Sequence, residues 1–343
     1  MKGIRYSPIA SEGLENIFYC WTRVVSSVKG FEEEFRVCRP SDFWLYSDRE
    51  KRYTEFVSKY VKPSGHITVS LRSKELFSWG VFEVFAKLPR FEKGPMFWFG
   101  FELDDLFGGG VVHFMWHSGE GVLKAFAGGF SSRVEMDLTK YLPVDASDRK
   151  HLYRIVYRRG LAMWFIDNRL RAMAIIGVGD VRDSGILYNG DPYVIGFTRD
   201  APSSALPVLL DIDGGDVEKS FEWQDLHPWD LRISNGDSET PIVIDLYKHG
   251  EDKKLVDALI DKEVVSAPIP GTLRHKEITF VADNECRLAI EAFVNGNWFG
   301  VVEADIDPKK IHNIVIENMG ILYRLVIKPR KVLRVIEAKA FLQ

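Results

Sequence analysis

Apolar and polar residues alternate with a period of two along much of this 343-residue chain, in short runs broken by Gly, Pro, Asn and Asp. The runs "HITVSLRS" (66–73), "WGVFEVFAKL" (79–88), "VVHFMWH" (111–117), "HLYRIVYRR" (151–159) and "LAMWFIDNRL" (161–170) predict strands. The stretch "RRGLAMWFIDNRLRAMAI" reads as strand, turn, strand, because Asp167 and Asn168 both tolerate left-handed backbone geometry. The segment "VNGNW" (294–298) predicts a second hairpin. Helical spacing is confined to two places. "SDREKRYTEFVSKYV" (47–61) places Tyr53, Phe56, Val57 and Tyr60 on one helical face, with a strand pair and charged turn as the alternative. "DKKLVDALIDKEV" (252–264) predicts a second, short helix. Many short strands at this spacing predict an all-β chain built from sandwiches or jelly rolls. The polar, Asn-Gly-containing stretch "RISNGDSETP" (232–241) predicts a boundary, with a jelly roll over 1–235 and a smaller β-sandwich over 236–343.

Composition narrows this picture. Apolar residues are 46% and charged residues 27%, an ordinary globular balance, and the length suffices for two cores. Nine Trp, 23 Phe and 12 Tyr favour β structure. The net charge is −4 with no basic block, so no nucleic-acid or membrane-surface partner is expected. The first 21 residues hold no apolar h-region and no apolar run reaches membrane-spanning length, so a cytoplasmic location is expected. Cys20, Cys38 and Cys286 lack metal-type spacing and are expected to be free thiols, although Cys20 and Cys38 can pair if the chain is exported.

Four segments carry a family resemblance, in order: "WGVFEVFAKLP" (79–89), "GPMFWFGFE" (94–102), "HLYRIVYRRGLAMWFIDNRL" (151–170) and "PYVIGFTRD" (192–200). They resemble glycoside hydrolase family sixteen, the laminarinases and licheninases. The resemblance implies a concanavalin-like jelly roll of two curved antiparallel sheets with a sugar-binding cleft. In that family a glycine is followed by a strand bearing Glu-x-Asp-x-(x)-Glu. A retaining hydrolase needs two carboxyl groups about 5 Å apart, one nucleophile and one acid/base. With Gly110 on that glycine, Val111 takes the nucleophile position and His113 the aspartate position. Trp116, or Met115 without a bulge, takes the acid/base position. None is a carboxylate, so the family's catalytic residues do not carry over.

The cleft reading makes Trp98, His113, Met115, Trp116 and His117 the candidate ligand-binding residues. Aromatic faces stack on the apolar faces of sugar rings, while core packing is the competing reading for each tryptophan, Trp164 included. Strand parity places Val111, His113, Met115 and His117 on one face and Val112, Phe114 and Trp116 on the other, unless a bulge intervenes. His113 and His117 stand roughly 13 Å apart along an extended strand, too far to share one metal ion. The alternative enzyme reading, a divergent hydrolase of a β-glucan-type polysaccharide, draws its carboxylates from Glu102, Asp104 and Glu120. Ser131-Ser132, His151 and Asp148 lack a nucleophile-elbow motif and make no triad. "DIDGGDVE" (211–218) is read as a solvated turn. Its Asp211, Asp213 and Asp216 are the weaker candidates for a structural Ca²⁺ of the kind the resemblance implies; no other cofactor is expected. The expected role is a non-catalytic carbohydrate-binding or structural protein, with carbohydrate or other protein subunits as partners.

Overall fold

The computed structural model describes residues 3–5, 18–26, 33–37, 65–86, 88, 96–103, 110–129, 132–177, 184–202, 205–214, 232–235, 241–271, 273, 275–317 and 320–343. The helix predicted over 47–61 lies outside them. The fold is all-β: a jelly-roll sandwich followed by a second, smaller β-sandwich. Two compact units divide the chain. One comprises Met1–Arg158, Ala162–Gly185 and Gly196–Gly236; the other comprises Arg159–Leu161, Ile186–Ile195 and Asp237–Gln343.

The described strands begin, in chain order, with β1 (Gly3–Arg5), β2 (Phe18–Ser26), β3 (Glu33–Val37), β4 (Gly65–Phe77), β5 (Gly80–Ala86), β6 (Met96–Leu103), β7 (Gly110–His117) and β8 (Val122–Gly128). They continue with β9 (Arg133–Asp137), β10 (His151–Arg158), β11 (Leu161–Ile166), β12 (Arg169–Ile176), β13 (Gly185–Asn189), β14 (Val194–Thr198), β15 (Leu206–Gly214) and β16 (Arg232–Asn235). One eight-stranded sheet runs β1-β16-β5-β10-β11-β12-β14-β13 and the other β3-β2-β4-β15-β6-β7-β8-β9. Every pair in the second sheet is antiparallel. The predicted turn at Asp167-Asn168 is present, with φ of 48° and 63°, the left-handed pair that lets two-residue hairpins match strand twist.

Alternation builds the core. Phe82, Phe99, Phe101, Phe114, Trp116, Tyr153 and Trp164 are almost wholly buried. Rings from the two sheets meet directly: Phe82 lies 6.4 Å from Phe99, and Tyr153 lies 5.7 Å from both Phe99 and Phe114. Burial also keeps the Tyr153 and Tyr157 phenols protonated; Tyr157 is pushed up to about 12 by desolvation, and Tyr153 is raised by desolvation and then by the Asp167 and Asp145 charges.

The second sandwich holds β17 (Ile242–Asp245), β18 (Leu259–Ile260), β19 (Val264–Val265), β20 (Ile269–Pro270), β21 (Lys276–Ala282), β22 (Cys286–Val294), β23 (Asn297–Ile306), β24 (His312–Val315), β25 (Leu322–Pro329) and β26 (Leu333–Leu342). Its sheets run β17-β26-β21-β24 and β19-β25-β22-β23, with β18 and β20 added beside β26 and β25. The hairpin predicted at Asn295-Gly296 joins β22 to β23, with φ of 48° and 83°. The predicted helix over 252–264 is absent. Lys254 bridges Tyr247, β18 pairs with β26, β19 pairs with β25, and Asp257 takes a φ of 66° that no α-helix continues. Leu255 and Ile260 are buried; those anchors and sheet pairing override the local spacing. No helix among the described residues is long and apolar enough to cross a membrane.

Candidate functional site

The candidate site is built on β7, which lies between β6 and β8. Its register is continuous with both: Gly110 pairs with Leu103 and His117 with Met96, while Val111 pairs with Gly128 and His117 with Val122. No bulge interrupts the strand, so parity holds along its whole length. Val112, Phe114 and Trp116 are fully buried. Phe114 stacks on Phe99 at 5.1 Å and meets Tyr153 of the opposite sheet, which makes this the inner face. Trp116 is therefore a core residue and not part of a ligand surface, because a bulge would be needed to turn it outward.

Val111, His113, Met115 and His117 occupy the outer face. His113 is 4% exposed and packs edge-on against Phe126 at 5.2 Å. Its backbone carbonyl accepts a 3.1 Å hydrogen bond from the buried Trp164 indole N–H, which ties the opposite sheet to the middle of β7. Across from His113 sits Gly100, where a Cβ would stand 2.8 Å from His113 Cα and 2.7 Å from the Val112 carbonyl oxygen. The glycine thus permits close strand approach at the centre of the site. Met115 is half-buried and pairs with the half-buried Trp98. A thioether and an indole side by side form an apolar, adaptable patch.

His117 is also half-buried. Its Nδ1 accepts a 3.0 Å hydrogen bond from the Glu120 backbone N–H, so the neutral ring carries its proton on Nε2, which lies 3.9 Å from Glu120 Oε1. Glu120 itself is an exposed turn residue. At the β8–β9 side, Lys124 pairs with Glu135, closing that margin with a charge-neutral contact.

The two remaining alternative carboxylates sit differently. Glu102 lies in β6 opposite Val111, and Asp104 lies outside the described residues. In the "DIDGGDVE" stretch β15 extends through Gly214, so Asp211 and Asp213 are strand residues, opposite Trp98 and Met96, and residues 215–218 lie outside the described residues. Asp216 lies outside the described residues. The strand β15 enters the sheet between β4 and β6, a long-range placement that no local pattern signals. Among the described residues no group of three or more His, Cys, Asp or Glu side chains is arranged to hold a metal ion.

A second polar constellation surrounds His151. His151 does face carboxylates, but they are Asp167, whose Oδ2 is 2.7 Å from Nδ1, and Asp145, whose Oδ1 is 3.1 Å from Nε2. Asp148 is exposed and takes no part. Asp167 also accepts from the Leu152 N–H at 3.0 Å, so the cluster clamps the start of β10 to the β11–β12 turn. It acts as a structural clasp, and among the described residues no nucleophile belongs to it.

No family model matches the chain, and no curated protein matches it. Several solved structures do. A Bacillus licheniformis β-glucanase is 12% identical over 50% of this chain and 78% of its own, with a TM-score of 0.33. LamAcat from Zobellia galactanivorans is 14% identical over 65% of this chain and 95% of its own, with a TM-score of 0.32. The catalytic domain of an endo-1,3-β-glucanase (laminarinase) from Thermotoga petrophila RKU-1 is 12% identical over 63% of this chain and 73% of its own, with a TM-score of 0.29.

Proposed function

We propose that the first sandwich is a carbohydrate-binding module on a glycosidase-like jelly roll, without hydrolytic chemistry. The observation that carries this reading is the unbulged register of β7, whose outward positions are Val111, His113, Met115 and His117 with no carboxyl group among them, Met115 and His117 being the half-buried pair. Glycoside hydrolysis with retention or inversion needs two carboxyl groups across the scissile bond. The half-buried Trp98 beside Met115 supplies the apolar platform for a sugar ring, and His117 supplies a polar group at its end. His113 acts beneath this surface, as a support packed on Phe126. The division into a jelly roll over 1–235 and a smaller sandwich over 236–343 belongs to the same proposal.

The test is affinity electrophoresis of the full chain in gels containing laminarin, lichenan, galactomannan or amylose, beside a reducing-end assay on each. Retardation without release of reducing ends is expected, and Trp98→Ala should weaken it at least about tenfold, or ~1.4 kcal/mol. A divergent hydrolase is the second reading, favoured by the place of Glu102 directly opposite Val111. Turnover that disappears in Glu102→Gln would replace the binding reading with that one.

A further inference from the structure

The turn that joins β7 to β8 sets two groups of opposite demand against one imidazole. We propose that residues 118–121 form a proton-operated latch at the end of the candidate site, closed by neutral His117 and released when the ring gains a proton. Two backbone N–H groups of the turn end on His117. Gly121 N–H donates to its carbonyl oxygen at 2.8 Å, and Glu120 N–H donates to its Nδ1 at 3.0 Å. Gly121 takes a φ of 67°, which glycine adopts without strain, and a Cβ built there would stand 4.0 Å from the edge of the buried Trp116 ring. The closed turn therefore lies against the core at this end of the strand.

The second of these bonds depends on charge. A neutral imidazole has one acceptor nitrogen, and an imidazolium has none, because both of its nitrogens carry hydrogen. Protonation turns the Glu120 contact into two donors facing each other, and the backbone N–H loses its acceptor. The same residue holds the replacement partner. Glu120 Oε1 is 3.9 Å from Nε2, too long for a hydrogen bond and a small rotation away from one. The Glu120 side chain is 68% exposed and that of His117 26%, so both are free to turn and to exchange protons with solvent. Glu120 thus offers its amide to one charge state of the ring and its carboxylate to the other, which gives two discrete arrangements.

The neighbouring strands leave this choice to Glu120. The cross-strand partners of His117 are uncharged, Met96 on β6 and Val122 on β8. The next charged positions stand on opposite sides of β7. Lys124 lies two residues along β8, across from Asp137 and paired with Glu135 of β9, and Asp213 of β15 lies across from Met96. The latch is complete where the ring is neutral, and it is lost as the pH falls from 8 to 5, the range in which imidazoles change charge. Its effect on ligand rests on the sugar-binding reading given above. Closed, His117 is held by Nδ1 at the end of the Trp98–Met115 platform; released, it turns to the Glu120 carboxylate and the platform loses its polar end.

The experiment measures amide exchange of the full chain by NMR at pH 8 and pH 5, expressed as protection factors so that the intrinsic pH dependence of exchange drops out. Affinity electrophoresis on laminarin and lichenan is run at the same two pH values. In the wild type, protection of the Glu120 amide should fall at least about fivefold at pH 5 while that of Phe114, in the middle of β7, holds. His117→Asn sets an uncharged carbonyl acceptor near the place of Nδ1, and its Glu120 protection should be the same at both pH values. Glu120→Gln removes the replacement partner and should move the wild-type change to lower pH. Retardation of the wild type should weaken at least about threefold from pH 8 to pH 5, and the ratio between the two should approach one in His117→Asn. Unchanged Glu120 protection in the wild type overturns the latch, and so does an equal fall in His117→Asn. A fall in protection with retardation identical at the two pH values overturns it as well. A fall that His117→Asn abolishes, with neither polysaccharide retarded at either pH, supports the latch and removes the sugar-binding reading instead.

Discussion

The β7 face of the first unit and the β22–β23 face of the second both carry an indole, Trp98 in one and Trp298 in the other, yet they are built by opposite means. On β7 the strand is interior to its sheet, its register is unbroken, and its central histidine is buried. On β23 the strand is an edge, its pairing carries a bulge, and its central position is an empty glycine. The first indole is supported by a neighbouring thioether, the second by an ion pair. An interior strand gains rigidity from two neighbours and needs no charge to hold its side chains. An edge strand has one neighbour, and a buttressed Arg–Glu pair supplies the missing support.

That contrast makes predictions that differ in size. The largest concerns the core under the β7 face. Phe99→Ala removes a ring in contact with Phe82, Phe114 and Tyr153, and should destabilise the first unit by about 3–5 kcal/mol. Hydrogen exchange should quicken in β6 and β7 amides and stay as in wild type in β22; equal acceleration in both units would deny that they are separately stabilised. Next, Trp164→Phe takes away the indole N–H that holds the His113 carbonyl, at a cost of about 1–3 kcal/mol read from the urea midpoint. It should also weaken binding at Trp98, although Trp164 lies in the core.

A smaller effect is expected at the tip of the β22–β23 hairpin. Gly296 has a φ of 83°, so Gly296→Val should cost the second unit about 1–2 kcal/mol, whereas Gly300→Val, a few residues on, should be neutral in the same denaturation series. The smallest effect is a pH difference. Burial pushes the Cys286 thiol up to about 11, above its ordinary value of 9.0, so its contribution to the second unit is complete below pH 9 and is lost as the pH rises through 11. Tyr157 in the first unit, pushed up to about 12 from 10.0, loses its contribution one pH unit higher. Alkaline titration should therefore loosen the second unit before the first, and Cys286→Ala should narrow the gap. Near-ultraviolet circular dichroism and exchange rates followed from pH 8 to 12 would reveal the opposite order if the comparison is wrong.

What a sequence makes legible depends on the range of the forces involved. Residues 161–176 and 286–306 announced their hairpins because Asp-Asn and Asn-Gly turns act over a few bonds. The all-β class was legible because alternation is a property of each strand alone. Residues 252–264 misled because their apolar spacing fits a helix, whereas Leu255 and Ile260 find their burial in a sheet-bordering loop and strand. Asp211 and Asp213 suggest a turn because two glycines follow them, yet β15 continues through the first of those glycines.

By itself the sequence determined the all-β class, the two hairpin turns and the chemistry of β7: no ordering of neighbours could place a carboxylate on a strand that reads Gly-Val-Val-His-Phe-Met-Trp-His. The tertiary structure decided which of those side chains face inward, whether a bulge turns Trp116 outward, and which strands flank the histidine. It also decided that Glu291, Gly300 and Arg324 meet on one sheet face. The reason is physical: turn preference and alternation are settled within a few residues, while register and strand order depend on the packing of cores whose members lie far apart in the chain.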